Sequence, residues 1–461
     1  MDRMHTLDAE FLHLEDRVGH LHIGGIAVFE GAAPHEQELA DLLRLKLHLI
    51  PRYRQRVRTV PLELGRPVWV DDPHFHLGYH LRHTALPTPG DDDALCRLMG
   101  RLMSQPLDPE RPLWETWLVE GLAEDRWALI FKVHHCMVDG ISGVGLLTAL
   151  LDIDPESAIA DPQPWTPEPE PSGSSMVLDA WAGLGEDLIE RVREIPGAIR
   201  HPERTARAVV SGLEGFFGFG RNLQSTPTLS IEGTIGPHRA WAHSSVDLGE
   251  VKKIGAALGG TVNDVVLTAI TRGYRDLLIA HGEDPAEAII RTLVPVSVRH
   301  GDGEGIPDNR VSALLLELPI NLADPLERFA VVRERMAALK ASHSAEAGEW
   351  LASTLDLAPP IVIGQLSRLA VRAVRRLPQH SVNSITTNVP GPQFPLYCLG
   401  RRMLEYQPFV PIFHGMRVAT AILSYDGQIA FGITGDYDTA PDVAVLADGA
   451  VAGIDELIAH T

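Results

Sequence analysis

The stretch WALIFKVHHCMVDGISGVG, which runs from Trp127 to Gly145, decides the fold predicted for this chain. Its first half is an apolar strand pattern that ends in the adjacent residues His134 and His135. Because successive side chains of a strand point to opposite faces, we expect the two imidazoles to face opposite sides of a sheet. Asp139 and Gly140 are turn residues, and the apolar residues after them recur at helical spacing. The stretch therefore predicts a strand, a loop that carries two histidines, and a helix.

A histidine pair in such a loop has three interpretations. The first is catalytic: an exposed imidazole titrates near pH ~6.5, so a histidine beside a hydroxyl can take its proton at neutral pH. The second is structural, with one histidine in the core and one at the surface. The aspartate and glycine that follow the pair, behind a strand and before a helix, favour the first over the second. The third, a metal site, is set aside because adjacent strand side chains diverge and no cysteine or carboxylate spacing completes a zinc site.

Two neighbouring side chains are weaker candidates for a nucleophile. Ser142 lies in GISGVG, which does not match the G-x-S-x-G pattern of serine hydrolases. Cys136 directly follows His135, and neighbouring strand side chains diverge, so the two cannot form the hydrogen bond that a Cys-His pair requires. We therefore interpret Cys136 as a small apolar residue of the core.

The composition predicts a large, acidic, globular protein. A chain of 461 residues is too long for one hydrophobic core, so two domains are expected. A formal net charge of -21 would repel nucleic acid and anionic lipid, so neither is expected as an electrostatic partner. Three widely spaced cysteines indicate no disulfide framework and fit a reducing cytoplasm. An acidic amino terminus and the lack of an apolar run of about 18 residues predict neither a signal peptide nor a membrane span.

The chain divides by composition into three segments. Residues 1–153 carry the histidine loop and form the predicted first domain, and residues 231–461 form the second. Residues 154–230 begin with a proline-rich stretch, DPESAIADPQPWTPEPEPSGSS, which is expected to connect the domains. Residues 176–223 carry apolar side chains at helical spacing and a small excess of arginine, which favours a helical hairpin packed across the domains. The alternative is a helix that lies on a lipid surface.

Charged and aromatic residues before the histidine loop have structural interpretations. Asp8 and Glu15 are interpreted as solvated charges of a helix. Arg54 lies in the alternating stretch PRYRQRV, which fits a solvated basic edge strand. Trp114 and Trp117 are expected to pack beneath the histidine loop as part of the core.

The motif HHCMVDG has the form H-H-x-x-x-D-G, and it resembles the CoA-dependent acyltransferases related to chloramphenicol acetyltransferase and to the condensation domains of peptide synthetases. Further motifs resemble the bacterial wax ester synthase/acyl-CoA:diacylglycerol acyltransferase family over nearly the whole chain: Leu113 and Trp114 of PLWE, Asn263 to Leu267 of NDVVL, Ser297 to Arg299 of SVR, and Asn388 to Pro392 of NVPGP. The resemblance implies an α/β fold of two chloramphenicol-acetyltransferase-like domains with a central tunnel at their interface. One departure is Asp308, which stands where the family usually has glycine.

The resemblance also assigns roles within the motif. It makes His135 the general base and leaves His134 to support the loop, in which Gly140 provides the turn. It implies that Asp139 is structural and is held by an arginine. No metal takes part in this chemistry.

Residues outside the motif receive roles in the same way. Arg54 is the first candidate for the arginine that pairs with the aspartate, and Arg299 is the second. Asn263 and Asp264 are helix caps on residue chemistry alone, but in the family the matching pair lies near the active-site channel, which makes them candidates for substrate binding. Ser297 is a further candidate, and Arg299 could also contact the CoA phosphates.

The implied function is transfer of a fatty acyl group from acyl-CoA, a co-substrate, to diacylglycerol or a long-chain alcohol, without a cofactor and without an acyl-enzyme. One alternative is a condensation-type or polyketide-associated acyltransferase that acts on a carrier-bound acyl group. Another is a non-catalytic binding module of the same fold, against which retention of both histidines and Asp139 argues. We expect a cytoplasmic protein, and leave open homodimer formation and peripheral attachment to the inner membrane or lipid droplets.

Overall fold

The computed structural model of the protein describes residues 2–137, 151–156, 164–180, 182, 228–297, 311–341 and 382–461. The strands are β1 (Asp2–Arg3), β2 (His22–Glu30), β3 (Gln55–Arg58), β4 (Val68–Asp71), β5 (Leu81–Ala85), β6 (Trp114–Leu122), β7 (Arg126–His134), β8 (Glu232–Gly233), β9 (Arg239–Asp247), β10 (Ile290–Ser297), β11 (Val311–Leu318), β12 (Ser384–Pro390), β13 (Tyr397–Cys398), β14 (Arg401–Phe409), β15 (Gly415–Met416), β16 (Val418–Tyr425) and β17 (Gln428–Asp436). The helices are α1 (Thr6–Leu14), α2 (Glu36–Lys46), α3 (Leu77–His80), α4 (Asp92–Met103), α5 (Leu248–Leu258), α6 (Val262–Ala280), α7 (Pro325–Ala341) and α8 (Ala444–Ile458).

Two six-stranded mixed sheets organise these elements. The first sheet has the strand order β13-β14-β2-β7-β6-β5, and the second has the order β11-β10-β12-β16-β17-β9. Parallel pairs occur between β5 and β6, β10 and β12, and β12 and β16, while the other pairs within these two sheets are antiparallel. The fold is therefore α/β, as predicted.

β7 is a central strand of the first sheet because it is apolar on both faces. It pairs with β2 on one side and with β6 on the other. Leu129 and Phe131 pack into one core cluster, and Ala128 and Ile130 pack into another. All its residues after the first are buried. The predicted strand is confirmed, and its carboxyl end carries His134 to the rim of the sheet.

The second sheet is covered by α6 and α8, which pack closely against each other. Glycines make this approach possible: a Cβ added at Gly449 of α8 would lie only 2.7 Å from the Cα of Gly273 of α6. Apolar residues of both helices join the sheet in one hydrophobic cluster. The second sheet therefore has one face buried under helices, and its other face is available to the first sheet.

Helix ends and turns follow the local signals in the sequence. The Asp91 carboxylate accepts a hydrogen bond from the Ala94 N–H at the start of α4, and Thr261 caps α6. Gly259 ends α5 in the left-handed region, with φ of 71°. Asp426 and Gly427, a typical hairpin-turn pair, form the turn between β16 and β17, and both have positive φ.

Residues late in the chain complete the first sheet. β14 pairs with β2, with Gln407 opposite Ile26, so residues 231–461 contribute to both sheets. β14 also touches the second sheet, because an added Cβ at Gly432 of β17 would overlap the carbonyl oxygen of Pro408. The chain thus crosses back between the two sheets, while the boundaries after residues 153 and 230 stay predictions.

A small sheet of β1, β4 and β3 lies beside the first part of the predicted connecting segment. Residues 173–180 are helical, and Met176 and Ala180 pack against Val60, Val68 and Val70. Most of the segment 176–223, including its predicted hairpin, lies outside the described residues.

The described helices are too short or too polar to span a membrane singly. α5 and α6 reach the required length and composition only together, as a pair bent by 102°.

Candidate active site

The two histidines lie where β7 gives way to a 3-10 turn, His135–Met137. The His134 N–H donates to the carbonyl of Leu113 at 2.9 Å, and the His135 N–H donates to the carbonyl of Leu21 at 2.9 Å. The strand ends at His134, so strand alternation does not set the direction of the His135 side chain. The turn sets it, which corrects the argument from alternation.

His134 is a buried histidine with a defined tautomer. Its Nδ1 accepts a hydrogen bond from the Cys136 N–H at 3.1 Å, and its side chain is 1% exposed. Because Nδ1 accepts, a neutral ring carries its proton on Nε2. That nitrogen lies 3.2 Å from Oε2 of Glu15. The ring therefore connects the end of α1 to the turn that carries His135.

Glu15 is the centre of a histidine cluster and not a solvated helix charge, which corrects the interpretation from sequence. Its Oε1 lies 3.4 Å from Nε2 of His22 and 3.6 Å from Nδ1 of His20. Burial raises the pKa of the Glu15 carboxyl, but contacts with His134, His20 and His22 outweigh burial and hold the pKa far below its usual range. Burial, opposed by Glu15, lowers the pKa of His22 to about 3, so this ring is neutral. Among the described residues, no group of three or more potential ligands could hold a metal ion.

His135 differs from its neighbour in exposure and in partners. Its ring packs on Phe11 of α1, with ring centroids 4.0 Å apart, and the residue is half-buried. Its Nδ1 is buried and has no hydrogen-bond partner in the described part of the chain. Burial lowers the pKa of His135 to about 4, so the imidazole is neutral at physiological pH and can accept a proton.

Trp114 supports this corner from the neighbouring strand. Its indole N–H donates to the Tyr53 carbonyl at 2.9 Å, and the ring of His80 stacks on it with centroids 4.6 Å apart. It belongs to the same hydrophobic cluster as Cys136 and Met137, beneath the turn. Burial raises the pKa of the Cys136 thiol well above its usual value, which keeps the sulfur protonated and apolar.

Models of two protein domains match most of the chain. The wax ester synthase/diacylglycerol acyltransferase catalytic domain matches residues 4–266, and the WS/DGAT C-terminal domain matches residues 308–458. A probable diacylglycerol O-acyltransferase of Mycobacterium tuberculosis is 37% identical over 461 residues, which are 100% of this chain and 96% of that protein. The chain belongs to the wax ester synthase/diacylglycerol acyltransferase family. It is therefore an acyltransferase.

Solved structures agree with this family membership. The wax ester synthase/diacylglycerol acyltransferase from Marinobacter aquaeolei VT8 superposes with a TM-score of 0.71 at 25% identity, with 99% of each chain covered. The first condensation domain of the calcium-dependent antibiotic synthetase superposes with a TM-score of 0.57 at 18% identity, with 99% of this chain and 97% of that domain covered. The second similarity concerns the fold alone, and it is the fold implied by H-H-x-x-x-D-G.

Two further motifs of the wax ester synthase/diacylglycerol acyltransferase family meet in the structure. The Nδ2 of Asn388, in NVPGP, donates to Oδ1 of Asn263, in NDVVL, at 3.1 Å. Asp264 is a helix cap, since its carboxylate accepts from both the N–H and the hydroxyl of Thr261 at 2.8 Å. These bonds hold the start of α6 against β12, and substrate binding by Asn263 and Asp264 stays a prediction.

The remaining predicted site residues divide into described and undescribed ones. Asp139, Gly140 and Arg299 lie outside the described residues, and Ser297 is described only as the last backbone position of β10. Arg54 is 8% exposed and lies over the ring of Trp165, 5.0 Å from its centroid. Burial lowers its pKa against the opposing effect of Asp71. Arg54 is therefore a buried cation and not part of a solvated edge, and its pairing with Asp139 stays a prediction.

Sequence reasoning missed the cluster of Glu15, His20 and His22. A signal was present, because a glutamate at the end of an amphipathic helix precedes two histidines that open an apolar strand. What the sequence does not show is the pairing of β2 with β7, which places His22 opposite His134. In this member of the wax ester synthase/diacylglycerol acyltransferase family, residues near the amino terminus are part of the candidate active site.

Proposed function

We propose that this acyltransferase moves a fatty acyl group from acyl-CoA to the hydroxyl of a lipophilic alcohol, with His135 as the general base. The observation that carries the proposal is the state of His135: a neutral imidazole that is only half-buried, whereas the side chain of His134 is 1% exposed. An imidazole in this state can accept a proton from a bound hydroxyl. The neighbouring His134 cannot do so as readily, because its ring is buried, its Nδ1 accepts from the Cys136 N–H, and its Nε2 lies 3.2 Å from the Glu15 carboxylate.

In the proposed reaction, His135 makes both proton transfers. His135 takes the proton of the acceptor hydroxyl while the hydroxyl oxygen attacks the thioester carbonyl. The tetrahedral oxyanion then collapses, the C–S bond breaks, and the imidazolium returns the proton to the departing CoA thiolate. No side chain forms a bond to the acyl group, which fits a Cys136 thiol that burial keeps protonated.

The names of relatives support the choice of substrates. The Mycobacterium tuberculosis relative is named a probable diacylglycerol O-acyltransferase, and the Marinobacter structure is named a wax ester synthase/diacylglycerol acyltransferase. We propose diacylglycerol and long-chain alcohols as acceptors for this chain, so that its products are triacylglycerols and wax esters. Purified protein should release CoA from palmitoyl-CoA with hexadecanol or a diacylglycerol, and no release with either acceptor would refute the proposal.

The assignment of the base is tested by two substitutions at adjacent positions. A positioned general base contributes about a hundredfold to ten-thousandfold in rate, so His135→Ala should lose at least a hundredfold in kcat while acyl-CoA binding is kept. His134→Ala is the matched control, and we expect it mainly to lower the free energy of unfolding. Equal losses of kcat in two folded variants would contradict the assignment.

The absence of an acyl-enzyme is tested separately. Enzyme mixed with radiolabelled acyl-CoA, without an acceptor, should carry no label after denaturation. Stoichiometric label on the chain, particularly on Cys136 or Ser142, would replace direct transfer with a nucleophilic mechanism.

The pH dependence of turnover gives a third test of the base. The base must be unprotonated, so kcat/KM is present above the pKa of His135 and is lost as the pH falls through it. Because burial lowers that pKa to about 4, the acidic limb should lie well below the value of ~6.5 for an exposed histidine. An acidic limb at or above pH ~6.5 would contradict burial of the base.

Lipid substrates also require access to a lipid phase. We propose that residues 176–223 contact a lipid surface through apolar side chains. Leu178, at the start of that segment, is 71% exposed. A net charge of -21 opposes electrostatic attachment to anionic lipid, so this contact should be insensitive to salt.

A further inference from the structure

A cavity of about 420 Å³ lies between the two sheets, bounded by β14 of the first sheet and by β9, β16 and β17 of the second. Of the residues that line it, Gln428 is exposed and Glu405 is partly exposed, while Gln407 and Ala430 are buried. We infer that this cavity binds the hydroxyl end of the lipid alcohol acceptor, as a loading site apart from His135. The inference rests on the proposed function, since it names where that acceptor is first held.

Gln407 supplies the polar recognition. The residue is 2% exposed, and its Nε2 donates to Oγ of Ser245 at 3.1 Å and to Oε2 of Glu405 at 3.0 Å. A carboxylate can only accept, so the amide atom that faces Glu405 is the nitrogen, and this fixes the orientation of the amide. The carbonyl Oε1 is then left buried without a hydrogen-bond partner among the described residues. A buried acceptor in this state is unfavourable, and a ligand that enters the cavity and donates a hydrogen bond to Oε1 would satisfy it.

The charge of the cavity excludes anionic ligands. Among the described residues that line it, none is a lysine or arginine, and Glu405 contributes a carboxylate. The nearest cation to that carboxylate is Arg126, with its Nη1 at 3.8 Å from Oε1. Phosphate groups of CoA would therefore find no lysine or arginine among the described residues that line the cavity. A neutral hydroxyl, in contrast, can donate a hydrogen bond to the Oε1 of Gln407.

The rest of the lining is apolar enough for an alkyl chain. Leu404, Leu423 and Ala430 contribute aliphatic surface, and Tyr406 and Tyr425 contribute rings. The Tyr425 hydroxyl is already used, since it donates to the Met403 carbonyl and accepts from the Leu396 N–H. A cavity lined by both polar and apolar side chains matches an alcohol with a hydrocarbon tail better than it matches an ion.

The register of the sheet places the cavity apart from the catalytic corner. Gln407 lies opposite Ile26 on β2, which lies opposite Ile130 on β7, while His134 ends β7 four residues later. At about 3.3 Å per strand residue, the two positions are roughly 13 Å apart along the strands. An alcohol held in the cavity is therefore outside reach of His135 and must move to react, which is why we describe the cavity as a loading site.

A photoreactive long-chain alcohol tests this site without requiring turnover. Hexadecanol that carries a diazirine near its hydroxyl should label peptides that contain residues 404–407 or 423–430 of the full-length protein. Gln407→Leu, which removes the acceptor, should reduce this label about three- to tenfold at a probe concentration below saturation. Ala430→Leu, which fills the cavity without touching its polar groups, should abolish it. Gln37→Leu, at an exposed glutamine of α2, is the matched control and should keep the label. Label at these peptides that persists in both cavity variants, or wild-type label confined to other peptides, would overturn the inference.

Kinetics give a second readout that separates this inference from the proposed function. Loss of one hydrogen bond should raise the KM for hexadecanol about three- to tenfold in Gln407→Leu, with the KM for acyl-CoA and kcat unchanged. A KM increase for acyl-CoA instead would overturn it. Lack of turnover in the wild-type protein would refute the proposed function, and the labelling result would still decide whether the cavity binds an alcohol.

Discussion

Glu15→Gln is the substitution that most directly tests how the catalytic corner is held. The carboxylate faces three imidazoles, with nitrogen to oxygen distances of 3.2 Å to His134, 3.4 Å to His22 and 3.6 Å to His20. An amide of the same shape keeps one acceptor oxygen and turns an NH₂ donor toward ring N–H donors. At least one of the ring N–H groups that face Glu15 then loses its acceptor. If that group is the Nε2–H of His134, the hydrogen bond from the Cys136 N–H to the same ring is weakened as well.

The expected magnitude follows from this loss. A buried donor without an acceptor costs about 1–3 kcal/mol. The Glu15 side chain is 26% exposed, and the N–H of His134 does not point straight at the carboxylate, so we expect the lower half of that range. If this loss of free energy destabilises the turn that carries His135, kcat should fall about tenfold, because each ~1.4 kcal/mol added to the activation barrier lowers the rate tenfold.

The assay is steady-state release of CoA at saturating acyl-CoA and alcohol, together with urea unfolding. Glu10→Gln is the matched control, because Glu10 lies on the same helix but faces only His13, at 3.8 Å. We expect Glu15→Gln to lower kcat and stability while the KM for acyl-CoA is kept, and Glu10→Gln to change neither. A folded Glu15→Gln enzyme with wild-type kcat would refute the proposed positioning of His135 through His134.

Three other predictions concern the loop, the pH and the lipid surface. Asp139→Asn should lower stability and activity together, and lost activity with an unchanged melting temperature would point to direct chemistry instead. Burial lowers the pKa of His22 to about 3 and the pKa values of His80 and His135 to about 4, so the unfolded chain binds their protons first and stability is lost as the pH falls below ~6.5. Urea unfolding should show about 4 kcal/mol less stability at pH 5.5 than at pH 7.5, with the same difference in the surface control His74→Asn, and an equal stability at both pH values would count against neutral buried rings. Leu178→Asp should weaken flotation with neutral-lipid droplets at any salt concentration, and unchanged flotation would remove this residue from the lipid contact.

Several elements of the fold follow from local signals in the sequence. β7, the cap of α4 at Asp91, the cap of α6 at Thr261 and the turn at Asp426 and Gly427 all depend on side chains a few residues apart. Such signals determine the conformation of a segment before tertiary packing, so periodicity and residue type are sufficient to predict them.

The contacts of the candidate site depend on long-range pairings that periodicity does not contain. Glu15 meets His134 only because β2 pairs with β7 in the register that places His22 opposite His134. The same limit applies to β14, whose position beside β2 brings Gln407 against Ser245 of the second sheet. Sequence alone therefore predicts a strand that ends in histidines, but not which carboxylate those histidines face.

The sequence wrongly predicted Glu15 to be a solvated charge for a physical reason. A carboxylate near the end of a short amphipathic helix is usually solvated, and only its surroundings decide otherwise. Here burial by itself would raise the pKa of the carboxyl, and the three imidazoles reverse this effect. A carboxylate that stays ionised in such a setting is a strong acceptor at a fixed position. It favours the tautomer of His134 that carries its proton on Nε2. The Nδ1 of the same ring then accepts from the Cys136 N–H. In the proposed mechanism the first histidine of the motif acts through its tautomer and the second through its basicity, so we expect His134→Ala mainly to lower stability and His135→Ala mainly to lower kcat.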